Sequence, residues 1–359
     1  MEEKKILVLG GTGAMGTHLV QKLSSSGHKV FVTSRQMKEN TQNITYLRGN
    51  AHHFDFLDKT LRLLDWDCIV DFMTYSTCEY KLLLPTLLDA TKQLIYISSA
   101  RVYAESHFPL TEESPRLLDV CRDQDYLSTD EYALAKARQE NLLFESSKRN
   151  WTIIRPYVTF DERRLQLSCE EKESWLYRAL DGRTIVFSKD MAKRRTTFTY
   201  GGDVANGIAS IIGKKDALGE AFHITSNQNY TWEEILDFYL GCIESCLGKR
   251  PKVLLTDRYK EYYGGTPRQV QYDRLYDRTF NNSKISKFCD VNTFTDTKSA
   301  IEKCMRQFIE HQVWRLINMK YEALKDRDTK EWMAIKDLYV NCSLKDIARY
   351  LIYRCGLKK

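Results

Sequence analysis

Short apolar runs punctuate the first half of the chain in units of about thirty residues. Ile6–Leu9, Lys29–Thr33, Ile44–Leu47, Cys68–Met73 and Leu94–Ser99 are too short for buried helices and predict five strands. Between them lie segments whose apolar residues recur at helical spacing. Leu19, Val20 and Leu23 form the first, which should run to about Ser26 with Gly27 as its C-cap. Phe56 to Leu64 forms the second, and Leu82, Leu83, Leu87 and Leu88 mark a third over about Glu79–Thr91. Pro85 lies inside that third segment and predicts a kink or a late start. Strands alternating with helices imply a doubly wound parallel α/β sheet.

The first polar break reads Gly10-Gly11-Thr12-Gly13-Ala14-Met15-Gly16, with Gly10, Gly13 and Gly16 spaced three apart between a strand and a helix. Gly10 permits a tight turn, Gly13 lets a pyrophosphate approach the backbone, and Gly16 lets the helix pack closely on the strand. Free N–H groups and the helix dipole then hold the negative charge. This is the opening of a Rossmann-type dinucleotide-binding domain. Strand two ends in Ser34-Arg35, where such a fold meets the adenosine ribose. An acid there would favour NAD. A hydroxyl and a guanidinium suit a 2′-phosphate, so NADP is favoured, with NAD as the alternative.

Ligands of open α/β sheets bind beyond the carboxyl ends of the strands. Ser98-Ser99 close strand five there, which makes Ser99 the first catalytic candidate. Tyr132-Ala133-Leu134-Ala135-Lys136 supplies the second, because residues four apart share a helix face. An ammonium beside a phenol stabilises the phenolate and brings its pKa toward working pH. Tyr132 can then exchange a proton with a substrate alcohol, and Ser99 can hydrogen-bond the same oxygen.

Trp151–Arg155 predicts strand six, and Thr196 to Ala205 leads into a helix running to Ile212 with Asp203 as an N-cap or first-turn acid. Ala221–Ser226 predicts a further strand in which His223 packs instead of acting as a base. Thr231-Trp232-Glu233-Glu234 reads as a capping box opening a helix to about Leu247. The end of the chain predicts helices over Lys298–Tyr321, Lys330–Val340 and Ser343–Arg354, with Trp314, Ile317, Met333, Ile335 and Leu338 on apolar faces and a frayed Lys358-Lys359.

Hydrophobic content of 43% over 359 residues suits one large domain or two packed ones. The net charge of +6 suits an anionic small molecule and does not by itself indicate nucleic acid. No stretch approaches the ~20 apolar residues of a membrane span, and Met1-Glu2-Glu3-Lys4-Lys5 has no signal-peptide layout. The ten cysteines form no CxxC pair and no metal set, as expected for reduced thiols in the cytoplasm.

The glycine turn, Ile97-Ser98-Ser99-Ala100-Arg101-Val102-Tyr103, Tyr132 to Lys136, and Ile154-Arg155-Pro156-Tyr157 together resemble the extended short-chain dehydrogenases, which include the NAD-dependent epimerases and dehydratases of nucleotide sugars. The resemblance covers roughly residues 4 to 290. It implies Ser99, Tyr132 and Lys136 as the catalytic set, with Lys136 also bridging the nicotinamide ribose. It implies that Thr12, Ala14 and Met15 shape the pyrophosphate loop, that Asn50 and Ala51 pass the adenine, that Phe72 and Met73 line the cofactor, and that Pro156 and Tyr157 lie near the nicotinamide. It further implies a dinucleotide-binding domain over 1–160, to which about 195–226 returns, a smaller substrate-binding lobe over 161–294, and an extra helical extension over 295–359.

Four departures bear on chemistry. Strand four lacks the histidine-and-alanine continuation common in the family, and Ala104 replaces the glycine usual after Val-Tyr. Glu112 to Asp130 suggests a longer, lid-like loop. Ala100 and Arg101 stand where the dehydratases carry an acidic pair, which disfavours elimination and leaves epimerisation or keto reduction. The implied partner is a nucleotide-diphosphate sugar. Its phosphates would meet Arg194, Arg195, Arg268, Arg274 or Arg278, with Arg274 first, and Tyr262, Tyr263, Tyr272 and Tyr276 could stack on base or sugar. Members of the family often pair, so a homodimer is expected. The alternative is a catalytically silent member that binds RNA or senses NADP.

Overall fold

The protein, described in a computed structural model over residues 2–258, 261–262, 267–334 and 343–357, divides into two compact units. The first comprises Met1–Asp161, Thr197–Asn229 and Arg278–Thr297, and the second Glu162–Thr196, Tyr230–Asp277 and Lys298–Lys359.

In the first unit the elements follow in order: β1 (Lys5–Leu9), α1 (Gly16–Ser25), β2 (Lys29–Ser34), β3 (Ile44–Arg48), α2 (Phe54–Leu61), β4 (Cys68–Asp71), α3 (Thr77–Asp89), β5 (Leu94–Ile97), α4 (Tyr132–Phe144), β6 (Trp151–Pro156), α5 (Gly201–Ile211) and β7 (Glu220–Ile224). The seven strands form one parallel sheet in the order β7-β6-β5-β4-β1-β2-β3. The chain runs outward from β1 through β2 to β3, then returns to the other side of β1 as β4. That reversal places the switch point between β1 and β4, where such sheets bind ligands.

Strand alternation divides the core in two. Ile6 and Val8 pack with Leu19, Val20 and Leu23 of α1 and Val204, Ile208 and Ile211 of α5. Leu7 and Leu9 face the opposite layer, with Leu57 and Leu61 of α2 and Tyr80, Leu84, Leu87 and Leu88 of α3. Pro85 does not delay the start. α3 begins early, at a complete Ser76–Glu79 capping box, and Pro85 lies on its exposed side, where water can meet the freed carbonyl. The polar segment before α4 is more ordered than a lid. It carries short helices over Leu117–Val120 and Gln124–Leu127, and its last residue, Asp130, accepts both the N–H and the hydroxyl of Thr77.

In the second unit, strand Ile185–Ser188 pairs in parallel with Val253–Thr256, and helix Trp232–Leu247 opens on the Thr231–Glu234 capping box. The long helix expected over Lys298–Tyr321 is broken: Thr297–Glu310 and Met319–Thr329 are separate helices. Lys330 ends the second in a left-handed cap, and residues 331–334 are not helical. The rest of the expected Lys330–Val340 helix, with Ile335 and Leu338, lies outside the described residues, as do Tyr263 and Lys358-Lys359. Ser343 caps the final helix, Leu344–Arg354. Met319, Ala323, Met333 and Tyr350 pack with Tyr177, and Lys325 forms an ion pair with Glu170 at 2.6 Å, both groups buried.

Candidate active site

The glycine turn leaves β1 through Gly10, whose φ of +69° only glycine adopts without strain. A Cβ there would meet the Met73 sulfur at 2.9 Å, which brings the ends of β1 and β4 together. The Gly10 N–H donates to the Thr33 hydroxyl at 3.0 Å, which ties the turn to β2 as well. A Cβ on Gly13 would meet nothing within 4 Å, so the space above the turn is open. Gly16 is packed, though not on the strand: a Cβ there would sit 2.7 Å from the backbone of Gly11, inside the turn itself. Met15 gives α1 no side-chain cap, and in the first turn the Thr17 N–H donates to the Gly13 carbonyl at 3.1 Å. The turn therefore fits the pyrophosphate of a dinucleotide. Thr12 and Gly13 are exposed, Ala14 and Met15 half-buried.

At the tip of β2, the Ser34 hydroxyl donates to the Gln36 carbonyl and accepts the Gln36 N–H. That closes a local turn and leaves the exposed Arg35 as the charged group at this position. The Asn50 side chain accepts the His52 N–H at 3.1 Å, and Ala51 is buried. Phe72 and Met73 are half-buried, while Pro156 and Tyr157 are buried, with the Tyr157 ring 5.4 Å from that of Phe280.

β5 ends at Ile97, so Ser98 and Ser99 fall just beyond it. Ser99 caps a 3₁₀ turn over Ala100–Val102 and accepts the Arg101 N–H at 3.2 Å. The hydroxyl proton of Ser99 thus stays available to a further acceptor. Tyr132 opens α4 with its side chain about one-third exposed. Lys136, one turn later, is buried and donates to the Ile97 carbonyl at 2.8 Å, its ammonium 4.6 Å from the Tyr96 ring centre. Burial pulls the Lys136 ammonium below its ordinary pKa, against the raising influence of Asp71 and Glu140. The structure thus gathers Ser99 and Lys136 at one strand end, with Tyr132 on the same helix as Lys136.

Glu140 and the ion pairs that converge around this site went unread in the sequence. Arg101 pairs with Glu131 at 2.6 Å and lies over the Tyr132 ring at 5.2 Å. Glu140, fully buried, accepts from Ser98 at 2.6 Å, from Arg155 twice at 2.8 Å, and from Arg116 at 3.2 Å. Its spacing from Lys136, four residues along the same helix, was the available signal. Arg155 reaches on to the Tyr103 hydroxyl at 3.0 Å and the Glu112 carbonyl at 2.8 Å. His223 is packed among these groups, its Nε2 2.7 Å from the Asn281 carbonyl, and desolvation pulls it down to about 4. Asp203 stands in the first turn of α5 and holds the Thr295 N–H at 2.9 Å.

Two of the arginines named for substrate phosphates are built into the structure. Arg278 donates to the carbonyls of Tyr103 and Ala104. Arg274, in the second unit, is buried and forms an ion pair with its neighbour Asp273.

The parallel sheet thus carries a glycine turn at its switch point, with Ser99 beyond β5 and Tyr132 and Lys136 on α4. The chain belongs to the NAD dependent epimerase/dehydratase family, whose model it matches over residues 6–225. It is 25% identical over 246 residues to the chloroplast stem-loop binding protein of 41 kDa b of Arabidopsis thaliana, a match covering 64% of this chain and 61% of that relative. The chain thus spans about three-fifths of that relative's length. Among solved structures, epimerase Mth375 of Methanothermobacter thermautotrophicus matches with TM-score 0.68 and 17% identity, over 86% of this chain and 93% of that one. The UDP-glucuronic acid 4-epimerase of Bacillus cereus, solved with UDP-glucuronic acid and NAD, matches with TM-score 0.64 and 18% identity, over 85% and 99%. At these identities the structures share the fold. No helix among the described residues is long and apolar enough to cross a membrane.

Proposed function

We propose that the protein is an NAD(P)-dependent enzyme that oxidises or reduces a carbinol of a nucleotide-activated sugar, as an epimerase or a 4-keto reductase. The carrying observation is the Lys136 ammonium held 2.8 Å from the Ile97 carbonyl, with Ser99 two residues beyond that carbonyl and Tyr132 one turn before the lysine. The nicotinamide, when bound, supplies the hydride acceptor or donor. Gly10, Thr12, Gly13, Ala14, Met15 and Gly16 would hold the pyrophosphate. Ser34, Arg35, Asn50 and Ala51 would border the adenosine, and Phe72, Met73, Pro156 and Tyr157 the remainder. Lys136 would bind the ribose hydroxyls. Tyr132 takes the carbinol proton in oxidation and returns it in reduction, while Ser99 donates to the same oxygen.

Exposed Leu82 on α3 and Phe144 on α4, two helices that pack together, support pairing of two copies. The nine described cysteines are all free, which supports a reducing compartment such as the cytoplasm.

Purified protein incubated with labelled nucleotide sugars tests the reading. An epimerase converts them without added NADPH, and a reductase consumes it with a keto sugar. Tyr132→Phe should lower turnover by about 10²–10⁴ and leave cofactor binding intact. The name of the Arabidopsis relative favours one second reading, RNA stem-loop binding without turnover. Steeply salt-dependent hairpin binding with no copurifying cofactor would select it.

A further inference from the structure

Lys136 occupies a position hostile to a charge: it is 2% exposed, and its neutral hydrogen-bond partner is a backbone carbonyl. The charged or titratable groups that face it are few. Glu140 stands on its own helix, Tyr96 comes from β5, and Asp71 closes β4. Tyr132 lies one turn back on α4. The Tyr96 phenol is driven up by burial and stays neutral. Glu140 is bracketed by the guanidiniums of Arg155 and Arg116, so its charge is already matched.

Asp71 is different. It is fully buried, and one carboxylate oxygen accepts the Met73 N–H at 2.9 Å. In the sheet it stands in register with Tyr96, the residue whose ring carries the Lys136 ammonium, and Ile97, which accepts from that ammonium, comes next along β5. The Lys136 charge bears on its carboxyl, and the buried phenols of Tyr75 and Tyr80, both driven up by desolvation, face it as well.

We propose that Asp71 is a positioning residue of this site, the buried counter-ion that keeps Lys136 an ammonium and aimed at the end of β5. Neither partner is stable as a lone buried ion, so each holds the other charged. Desolvation works against both, raising Asp71 and lowering Lys136. For turnover the inference rests on the nicotinamide reading above. For the charge of Lys136 it stands alone.

The test follows Lys136 directly, in full-length protein labelled with [13Cε]lysine, its resonance assigned by loss in Lys136→Met. In wild type the Lys136 signal should titrate in two steps, the lower one reporting Asp71 above the ordinary carboxylate range. In Asp71→Asn the upper midpoint should fall by about one to two pH units, and the alkaline limb of kcat/KM should move down with it. A single-step wild-type curve overturns the proposal, as does an unchanged midpoint in folded Asp71→Asn. Should Asp71→Asn not fold, the wild-type curve decides. A two-step curve in a protein that turns over no nucleotide sugar upholds the counter-ion and removes the enzymatic reading.

Discussion

Glu140→Ala probes the buried charge network of α4 and β6. The mutation removes the acceptor of both Arg155 N–H bonds, at 2.8 Å each, and the acceptor of the Ser98 hydroxyl at 2.6 Å. Arg116 retains Asp119 at 2.9 Å and is partly solvated. Arg155 retains the Tyr103 hydroxyl and the Glu112 carbonyl but loses its countercharge, with a side chain 3% exposed. An uncompensated buried guanidinium costs about 3–5 kcal/mol. For a domain of this size that lowers Tm by about 6–20 °C. Differential scanning calorimetry reads it, with urea denaturation as a check. The double variant Glu140→Ala, Arg155→Met removes both charges and should recover part of the loss. If Glu140→Ala lowers Tm by less than about 2 °C, or the double variant loses the sum of the two singles, the charge-compensation argument is refuted.

Gly16→Ala would drive a Cβ to 2.7 Å from the Gly11 backbone, which cannot rotate away, so it should cost about 1–3 kcal/mol and weaken NAD(P) binding; calorimetry and a cofactor titration check both. His223 is held down to about 4. The unfolded chain therefore binds the extra proton first as pH falls, and stability present above about pH 6.5 is lost on the way down. His223→Asn should flatten that slope by about 3 kcal/mol in urea melts between pH 7 and pH 4, and parallel slopes would contradict the assignment. Arg35→Asp should reduce NADP affinity about tenfold or more relative to NAD, measured by isothermal titration; unchanged selectivity removes Arg35 from the 2′-phosphate.

Local pattern was enough for much of the fold. Apolar runs of strand length, a glycine turn and the Thr231–Glu234 capping box are short-range signals, each enforced by neighbouring residues along the chain. Tyr132 and Lys136 were readable together because a helix turns residues four apart onto one face. Boundaries were less readable. Ser98 still donates its N–H to the Ile154 carbonyl of β6, but Ser99 turns the chain into a 3₁₀ turn and β5 ends at Ile97, and the helix expected to run to Tyr321 stops at Glu310.

What the sequence by itself determined is the order of strands and helices in the sheet, the glycine turn after β1, and the placing of Tyr132 and Lys136 one turn apart on a helix. What only the tertiary structure decided is which charges meet. Glu140 finds Arg155 and Arg116 across a helix, a strand and a loop, Asp71 comes into register with Tyr96, whose ring carries the Lys136 ammonium, and Arg278 goes to the Tyr103 carbonyl. A charge's partner inside a protein depends on which backbones pack side by side and how far water is excluded, and neither is encoded within one turn of the chain.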